Sequence, residues 1–394
     1  MATELRTPHL LHVLPTFVPA GLEMRTVHLI TALGSELRHS ILSMDGRTDA
    51  VERLPADAPV RLLPTPPKAG SFVTSVRLRQ VLHDEKPDLV LTYNWGAFDA
   101  ILAARSLGFH RIIHHEDGFN ADEAHAPKRR RTLARRAMLP WVPRVVVPSQ
   151  RLHDMAVQDW KVPVDQIRLI RNGIRLDVFN RSEGGPELRR ELGIPQDAPV
   201  VGTVGHLRPE KNHLRLLEAC AALPAELGVH VLLVGDGDER ARLEERAARP
   251  DLAGRVHLAG YRPDPQRFFR AMDIFAITSD TEQMPVCLLE AMASHLPVVS
   301  THVGDIHAVL SAEQQPWLVP LDGEATAASL AERLGDLVRQ PSLRWRLGEG
   351  NRRQVEERFS FETMLAAYRE IYHEVLCLPD GRSLPAEGEA VGVW

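Results

Sequence analysis

The chain has 394 residues but only three cysteines, Cys220, Cys287 and Cys377, placed far apart. That excludes a disulfide framework and a clustered thiolate zinc site, and it suits a reducing compartment. No apolar run approaches the ~18 uninterrupted residues of a membrane-spanning helix. The start, Met1 to Pro8, has no apolar h-region, so no secretory signal is expected. No G-x-G-x-x-G follows an early strand, which argues against a dinucleotide oxidoreductase, and no repeat of 20–50 residues is visible. What is present is ordinary for a folded protein: 44% hydrophobic and 25% charged residues. At roughly 150 residues per domain the length predicts two or three domains, each large enough to fold without a staple. The expectation is a cytoplasmic chain of enzyme size.

The net charge of −5 hides an asymmetry. Residues 1–182 carry 25 Lys and Arg against 19 Asp and Glu, whereas the remainder carries 22 against 33. A basic half suggests an anionic ligand or surface nearby, and scatter among solvated side chains accounts for it equally well.

Short apolar runs alternate with longer amphipathic ones. Leu10–Leu14 reads as a buried strand and Pro15–Ala20 as a loop. A helix opens at Gly21, with Val27, Ile30, Leu33 and Leu37 on one face. Strands follow at 40–43, 60–63, 88–92, 111–114 and 144–148, with a helix near 73–85. After the Gly/Pro-rich stretch 182–186 the pattern restarts. Strands are predicted at 199–205, 229–235, 256–258, 274–277 and 298–300, and helices at 214–222, from Glu239 and at 286–294. This βαβα order predicts α/β architecture, two doubly wound parallel halves joined near residue 183. Such sheets bind ligands outside the carboxyl ends of their strands.

The segment Ser279-Asp280-Thr281-Glu282-Gln283-Met284-Pro285-Val286-Cys287-Leu288-Leu289-Glu290 carries the strongest signal. A strand ends, a loop holds Glu282, and a helix begins near Pro285 with Glu290 about one turn inside. A helix start attracts phosphate, and two flanking carboxylates suit the hydroxyls of sugars attached to it. An acidic loop beside a solvated glutamate is the plain alternative. In Gly205-His206-Leu207-Arg208-Pro209-Glu210-Lys211, the cations Arg208 and Lys211 stand beyond a strand end, where they can neutralise a diphosphate or simply face water.

Gly21, where the first strand feeds the first helix, permits close approach to a phosphate or merely starts the helix. In His114-His115-Glu116-Asp117, alternation puts His115 and Asp117 on one face and His114 and Glu116 on the other. A metal there is disfavoured, and Asp236-Gly237-Asp238 reads as a tight turn rather than a ligand pair. Lys128 to Trp141 packs six cations beside Leu133, Met138, Leu139 and Trp141, with Pro140 ending a helix. That pattern fits an interfacial membrane segment or a solvated basic helix whose apolar residues enter the core.

Together these segments resemble the family-4 glycosyltransferases of the GT-B class over nearly the whole chain. The resemblance rests on Glu282-x7-Glu290 with Leu289-Glu290-Ala291-Met292-Ala293, and on Pro297-Val298-Val299-Ser300-Thr301 after it. It rests also on the Lys211 loop, on Asn172-Gly173-Ile174 and on Gly21-Leu22-Glu23. It implies a GT-B fold, two Rossmann-like domains facing across a cleft. Residues 1–182 would form the acceptor-side domain and 183–358 the nucleotide-sugar domain. Residues 359–378, with a helix at Phe359–Leu376, would cross back to the first domain, and 379–394 would be a disordered tail.

The resemblance implies a retaining transfer from a nucleotide-diphosphate sugar, with no other cofactor and no bound metal. Glu290 would bind ribose hydroxyls, and Glu282 with the Met284 backbone would bind the donor sugar. Lys211 would stabilise the leaving diphosphate, joined by Gly21, His206 and Arg208. The catalytic set would be Glu282, Lys211, Asp117 and His115, Asp117 standing where the family often has histidine. Gln283 replaces the usual glycine, and His206 a frequent arginine whose charge Arg208 would supply.

Asn94, Arg129, Arg130 and Arg131 would lie toward a saccharide or lipid-linked acceptor, or toward an anionic membrane surface; no nucleic acid is expected. The product would belong to surface polysaccharide or glycolipid assembly, peripheral to the inner face of a membrane. A GT-B sugar-nucleotide 2-epimerase shares the fold but is disfavoured by the Glu282, Glu290 and Lys211 set. A non-catalytic sugar-binding subunit would bind a donor without turning it over.

Overall fold

The computed structural model describes residues 6–67, 69–118, 128–180, 184–323 and 325–378. The chain divides into two compact units, one running through Arg171 and including the residues from Met364 onward, the other Asn172–Thr363. The sequence boundary at 182/183 and the tail 379–394 lie outside the described residues. The division comes earlier, after Arg171, because Ile174 belongs to the second unit. Its N–H donates to Phe359 O at 2.8 Å, its carbonyl accepts from Phe361 N–H at 3.0 Å, and its side chain is buried with Phe179 in that unit's core.

The first unit opens with β1 (His9–Leu14), α1 (Gly21–Leu33), β2 (Arg38–Ser43), β3 (Val60–Leu62) and α2 (Ser71–Glu85). It continues through β4 (Leu89–Tyr93), α3 (Phe98–Ser106), β5 (Ile112–His115), α4 (Arg129–Met138), β6 (Arg144–Val147), α5 (Gln150–Gln158) and β7 (Ile167–Leu169). All seven strands pair in parallel in the order β3-β2-β1-β4-β5-β6-β7. Every residue of β1 is buried, as a strand covered on both faces requires. Helix α1 stops at Gly34, whose φ of 54° ends the repeat while its N–H donates to Ile30 O. Leu37 therefore lies beyond the helix expected to carry it, although it is still buried.

The basic segment does form a helix, but two of its six cations are structural. Arg135 is 1% exposed and grips Glu116 through two hydrogen bonds of 2.9 and 3.2 Å. Its guanidinium also lies 5.4 Å from the Trp95 ring and 5.2 Å from the Trp160 ring. Arg131 is buried too, its guanidinium 5.3 Å from Trp95, so the acceptor-side placement expected for it is not met. Met138 and Leu139 enter the core, and a short turn through Pro140 ends the helix. Arg129, Arg130, Leu133, Arg136 and Trp141 remain exposed.

The second unit holds α6 (Gly185–Glu191), β8 (Val200–Val204), α7 (His213–Ala221), β9 (His230–Val234), α8 (Arg240–Ala247), β10 (Val256–Gly260) and α9 (Gln266–Phe269). Then come β11 (Ile274–Ile277), α10 (Val286–Ala293), β12 (Val298–Thr301), α11 (Ile306–Val309), β13 (Leu318–Val319), α12 (Ala325–Arg339) and α13 (Pro341–Arg358). Its six strands are parallel in the order β10-β9-β8-β11-β12-β13. Two apolar clusters cover its faces, one built on Phe269, Phe275 and Leu288, the other on Leu216, Leu233 and Leu334. The last helix, α14 (Phe361–Leu376), begins in the second unit and from Met364 belongs to the first. There Glu374 pairs with Arg144 and Arg168. Among the described residues no helix is long and apolar enough to cross a membrane.

Candidate functional site

In each sheet the strand order reverses at one place, β1/β4 in the first unit and β8/β11 in the second. That switch point is where an open parallel sheet leaves a crevice beyond its carboxyl ends. In the second unit the loop after β8 carries His206, Arg208 and Lys211, and the loop after β11 carries Ser279, Asp280 and Glu282. The two loops are tied together. Thr278 Oγ donates to Asn212 O at 3.0 Å, Asp280 N–H donates to Glu210 O at 2.8 Å, and the Asp280 carboxylate accepts from Arg215 at 2.7 Å. Asn212, at a φ of 47°, caps α7 by accepting from Arg215 N–H. Lys211 is thereby delivered to Glu282, with Nζ 2.6 Å from Oε1.

Glu282 sits in a loop with little freedom. Gly304, at a φ of +54°, packs so closely that a Cβ there would come 2.2 Å from Glu282 O. Ser279 Oγ donates to the same Glu282 Oε1 at 2.6 Å. Met284 is buried, and its carbonyl accepts from Asn172 Nδ2 at 3.4 Å, which joins the Asn172-Gly173-Ile174 motif to the Glu282 loop. Pro285 precedes α10, which carries Cys287 and, three residues on, Glu290.

Burial is the largest single influence on Lys211 and works against its charge, but the acidic neighbours, Glu282 first, together raise the pKa of the ammonium. Burial raises Glu290 to about 7. Cys287 is pushed up to about 12, by burial first and by Glu282 and Glu290 against the opposing pull of Lys211. It is a neutral thiol beside Lys211, Glu282 and Glu290. His206 is shifted down, by its surroundings first and then by Arg208 and Lys211. The lowering favours the uncharged ring, and the cations of this loop are the exposed Arg208 and the half-buried Lys211. Asp236 closes its own turn, accepting from Gly237 N–H at 2.8 Å, and also lies 3.6 Å from Arg240.

In the first unit Gly21 begins α1 beyond β1 and Asn94 follows β4. Gly96 lets these two loops meet, since a Cβ there would come 2.6 Å from the Pro15 side chain. Asn94 adopts a φ of 52°, and its Oδ1 accepts from Asp117 N–H at 2.7 Å. Asp117 is taken up by the buried Arg25, Nη2 to Oδ2 2.9 Å, with that guanidinium 5.8 Å from the Tyr368 ring of α14. His115 is 1% exposed, stacked at 4.5 Å on Tyr93 and 5.8 Å on Tyr368. Burial drives its pKa well down, leaving it neutral, and Nδ1–H donates to Thr92 O at 3.3 Å. The ring expected to face substrate is therefore sealed in the core, because β5 runs one residue further than its apolar pattern suggests. Glu23, one turn into α1, is buried and raised to about 7, chiefly by that burial.

Residues 185–354 match the family described as glycosyl transferases group 1, and residues 19–178 match glycosyltransferase family 4. The chain belongs to the family-4 glycosyltransferases. It is similar to the lipopolysaccharide core biosynthesis glycosyltransferase LpsE of Rhizobium meliloti, 34% identical over 46% of this chain and 52% of that protein. It is also similar to the D-inositol 3-phosphate glycosyltransferase of Saccharomonospora viridis, 30% identical over 65% of this chain and 61% of that one. The chain thus spans about half to three fifths of the length of these curated relatives. Among solved structures, Anabaena HepE in complex with UDP and glucose superposes with a TM-score of 0.77 at 20% identity, covering 92% of this chain and 98% of that one. Sucrose-phosphate synthase from Thermosynechococcus elongatus gives 0.79 at 20% identity, covering 93% and 99%. At such identity these two establish the GT-B fold.

Within this family framework, the structure brings Lys211 and Glu282 into contact and sets Glu290 one turn into the adjoining helix. It does not bring His115 and Asp117 to one partner, since His115 packs on rings while Asp117 binds Arg25. Arg25, Ser279, Thr278 and Thr301 had no role assigned from sequence. Ser279 alone gave a local signal, a hydroxyl three residues before a loop glutamate.

Proposed function

We propose that the chain transfers a sugar from a nucleotide-diphosphate sugar to a hydroxyl of a saccharide or lipid-linked acceptor, with retention and without a bound metal. The product belongs to surface polysaccharide or glycolipid assembly. The observation that carries this reading is the juxtaposition of Lys211, Glu282 and Glu290 around the β8/β11 switch point. The relative named for lipopolysaccharide core biosynthesis and the neighbour solved with UDP-glucose support the product and donor classes.

In this reading the Lys211 ammonium and Arg208 meet the diphosphate, where a preorganised cation stabilises the charge that grows on the leaving group. Glu290 accepts from ribose hydroxyls and Glu282 from a donor-sugar hydroxyl. The bond from the anomeric carbon to the phosphate oxygen breaks. The acceptor oxygen bonds to that carbon on the same face, and its proton passes to a departing phosphate oxygen. In this reading Asn94, whose Oδ1 accepts from Asp117 N–H at the first unit's own switch point, is on the acceptor side. The exposed Arg129, Arg130, Leu133, Arg136 and Trp141 support contact with an anionic bilayer where a lipid-linked acceptor resides.

A thermal-shift screen of UDP-, GDP- and ADP-sugars tests the reading. A true donor at 100 times its Kd adds ~2.7 kcal/mol and raises the melting temperature clearly. Absence of stabilisation by every nucleotide sugar overturns it.

A further inference from the structure

We propose that Ser279 is a positioning residue of the donor site, holding the Glu282 carboxylate in place while Lys211 is drawn to the diphosphate. The inference rests on the transferase reading above. Glu282 Oε1 accepts two hydrogen bonds of 2.6 Å, from Lys211 Nζ and from Ser279 Oγ. The two holders differ in kind. Lys211 reaches Glu282 through four rotatable bonds from a loop and is 27% exposed. Ser279 is 2% exposed and has one side-chain torsion. Its carbonyl accepts from Thr301 Oγ at 2.7 Å, and Thr301 is fully buried at the end of β12.

A diphosphate beside Lys211 competes with Glu282 for the ammonium and repels the carboxylate. Only the serine bond, a charge-assisted O–H to carboxylate contact, is indifferent to that competition. It also decides which oxygen is offered: Oε1 is occupied, and Oε2 has no hydrogen-bond partner among the described residues, although the side chain is only 8% exposed. A sugar hydroxyl would therefore be received by Oε2 at a fixed position.

The test uses the full chain and the Ser279→Ala and Ser279→Thr variants, with UDP-glucose and UDP, or GDP-mannose and GDP if the screen selects guanine. Affinities come from calorimetry and turnover from donor hydrolysis or transfer. Ser279→Ala should lower kcat about 10–100-fold, the worth of a hydrogen bond to a charged group. It should also erase most of the preference for the sugar nucleotide over the free nucleoside diphosphate. The affinity for UDP itself should stay within about twofold, and Ser279→Thr should recover most of the loss. Turnover within threefold of wild type, or equal losses in UDP and UDP-glucose affinity, overturns the proposal. If Ser279→Ala does not fold, Ser279→Cys, similar in size but a weak donor, replaces it, and wild-type turnover in that variant is equally decisive. A wild-type chain that binds no nucleotide sugar overturns the transferase reading and this role with it. Normal wild-type binding with an unaffected variant overturns the role alone.

Discussion

Lys211 Nζ lies 2.6 Å from Glu282 Oε1, so the cation and the carboxylate of the candidate donor site neutralise one another. An anion that enters must share or take the ammonium. Glu282→Gln should therefore bind free UDP more tightly than wild type, by roughly 3–10-fold, because Lys211 no longer has a competing partner. The same variant should transfer more slowly. Lys211→Ala should lower kcat by ~10²–10³-fold, the usual loss when a group that stabilises developing charge is removed. Calorimetry and turnover on the two variants check both claims, and weaker UDP binding by the glutamine variant would contradict the competition.

With Glu290 receiving the ribose hydroxyls, as proposed above, nucleotide-sugar binding should depend on pH. The Glu290 carboxyl is raised to about 7 by burial, and ribose hydroxyls bind the ionised form better because that form only accepts. Affinity for a nucleotide sugar, whose diphosphate does not titrate in this range, should rise with pH through about 7 and level off above it. Binding should release a proton near pH 7, and Glu290→Gln should flatten the profile. Isothermal titration in two buffers of different ionisation enthalpy measures the proton directly. An affinity independent of pH from 6 to 8 in the wild type would rule this out.

A third prediction concerns the first sheet. His12 Nε2 and His39 Nδ1 lie 3.0 Å apart, both rings buried, with Tyr93 hydroxyl 3.0 Å from His12 Nδ1. Burial lowers His39 to about 3, and burial first, with the neighbouring His39 and His115 rings, also drives His12 well down. The folded state therefore keeps both neutral, whereas the unfolded chain takes up protons below pH ~6.5. Stability should be flat above that value and fall as the pH drops from about 6.5 toward 3. A single histidine shifted this far contributes on the order of 4–5 kcal/mol across the window. Urea midpoints at pH 7, 5.5 and 4.5, compared with His39→Gln, should show the variant losing less on acidification. Parallel slopes in the two proteins would place the acid sensitivity elsewhere.

Most of the strands were legible because parallel strands covered on both faces read as continuous apolar runs, as in Leu10–Leu14 and Val231–Val234. β7 and β13 were not, being two or three residues long at sheet edges. The Lys211 and Glu282 loops could be placed at strand ends, but not their contact. That contact depends on Thr278 and Asp280, whose partners lie 66 and 65 residues away. Distance along the chain also hid the buried cations: Arg131 and Arg135 look like solvated charges until Glu116, Trp95 and Trp160 are brought beside them. His115 shows the converse error, since a strand-end histidine looks available until Tyr368, from the far end of the sequence, covers it.

The surface of α4 carries the last prediction. Arg129, Leu133 and Arg136 recur at helical spacing on its outward face, with Arg130 beside them and Trp141 just beyond the helix end. Leu133 is 64% and Trp141 63% exposed, and the Arg105 guanidinium stacks 3.9 Å from the Trp141 ring. Because Arg131 and Arg135 are committed to the core, the outward charge is smaller than the six cations in sequence imply. At ~1 kcal/mol per cation near an anionic leaflet, Arg129, Arg130 and Arg136 together contribute about 3 kcal/mol, enough for reversible but not permanent attachment. Sedimentation with phosphatidylserine-containing vesicles should capture the wild type at low salt, less at high salt, and not with neutral vesicles. Changing Arg129, Arg130 and Arg136 to Ser should abolish capture without lowering the melting temperature, whereas Arg135→Ser should destabilise the fold by stranding Glu116. A wild type that ignores anionic vesicles at low salt leaves the cations a solvated face and points to an acceptor met in solution.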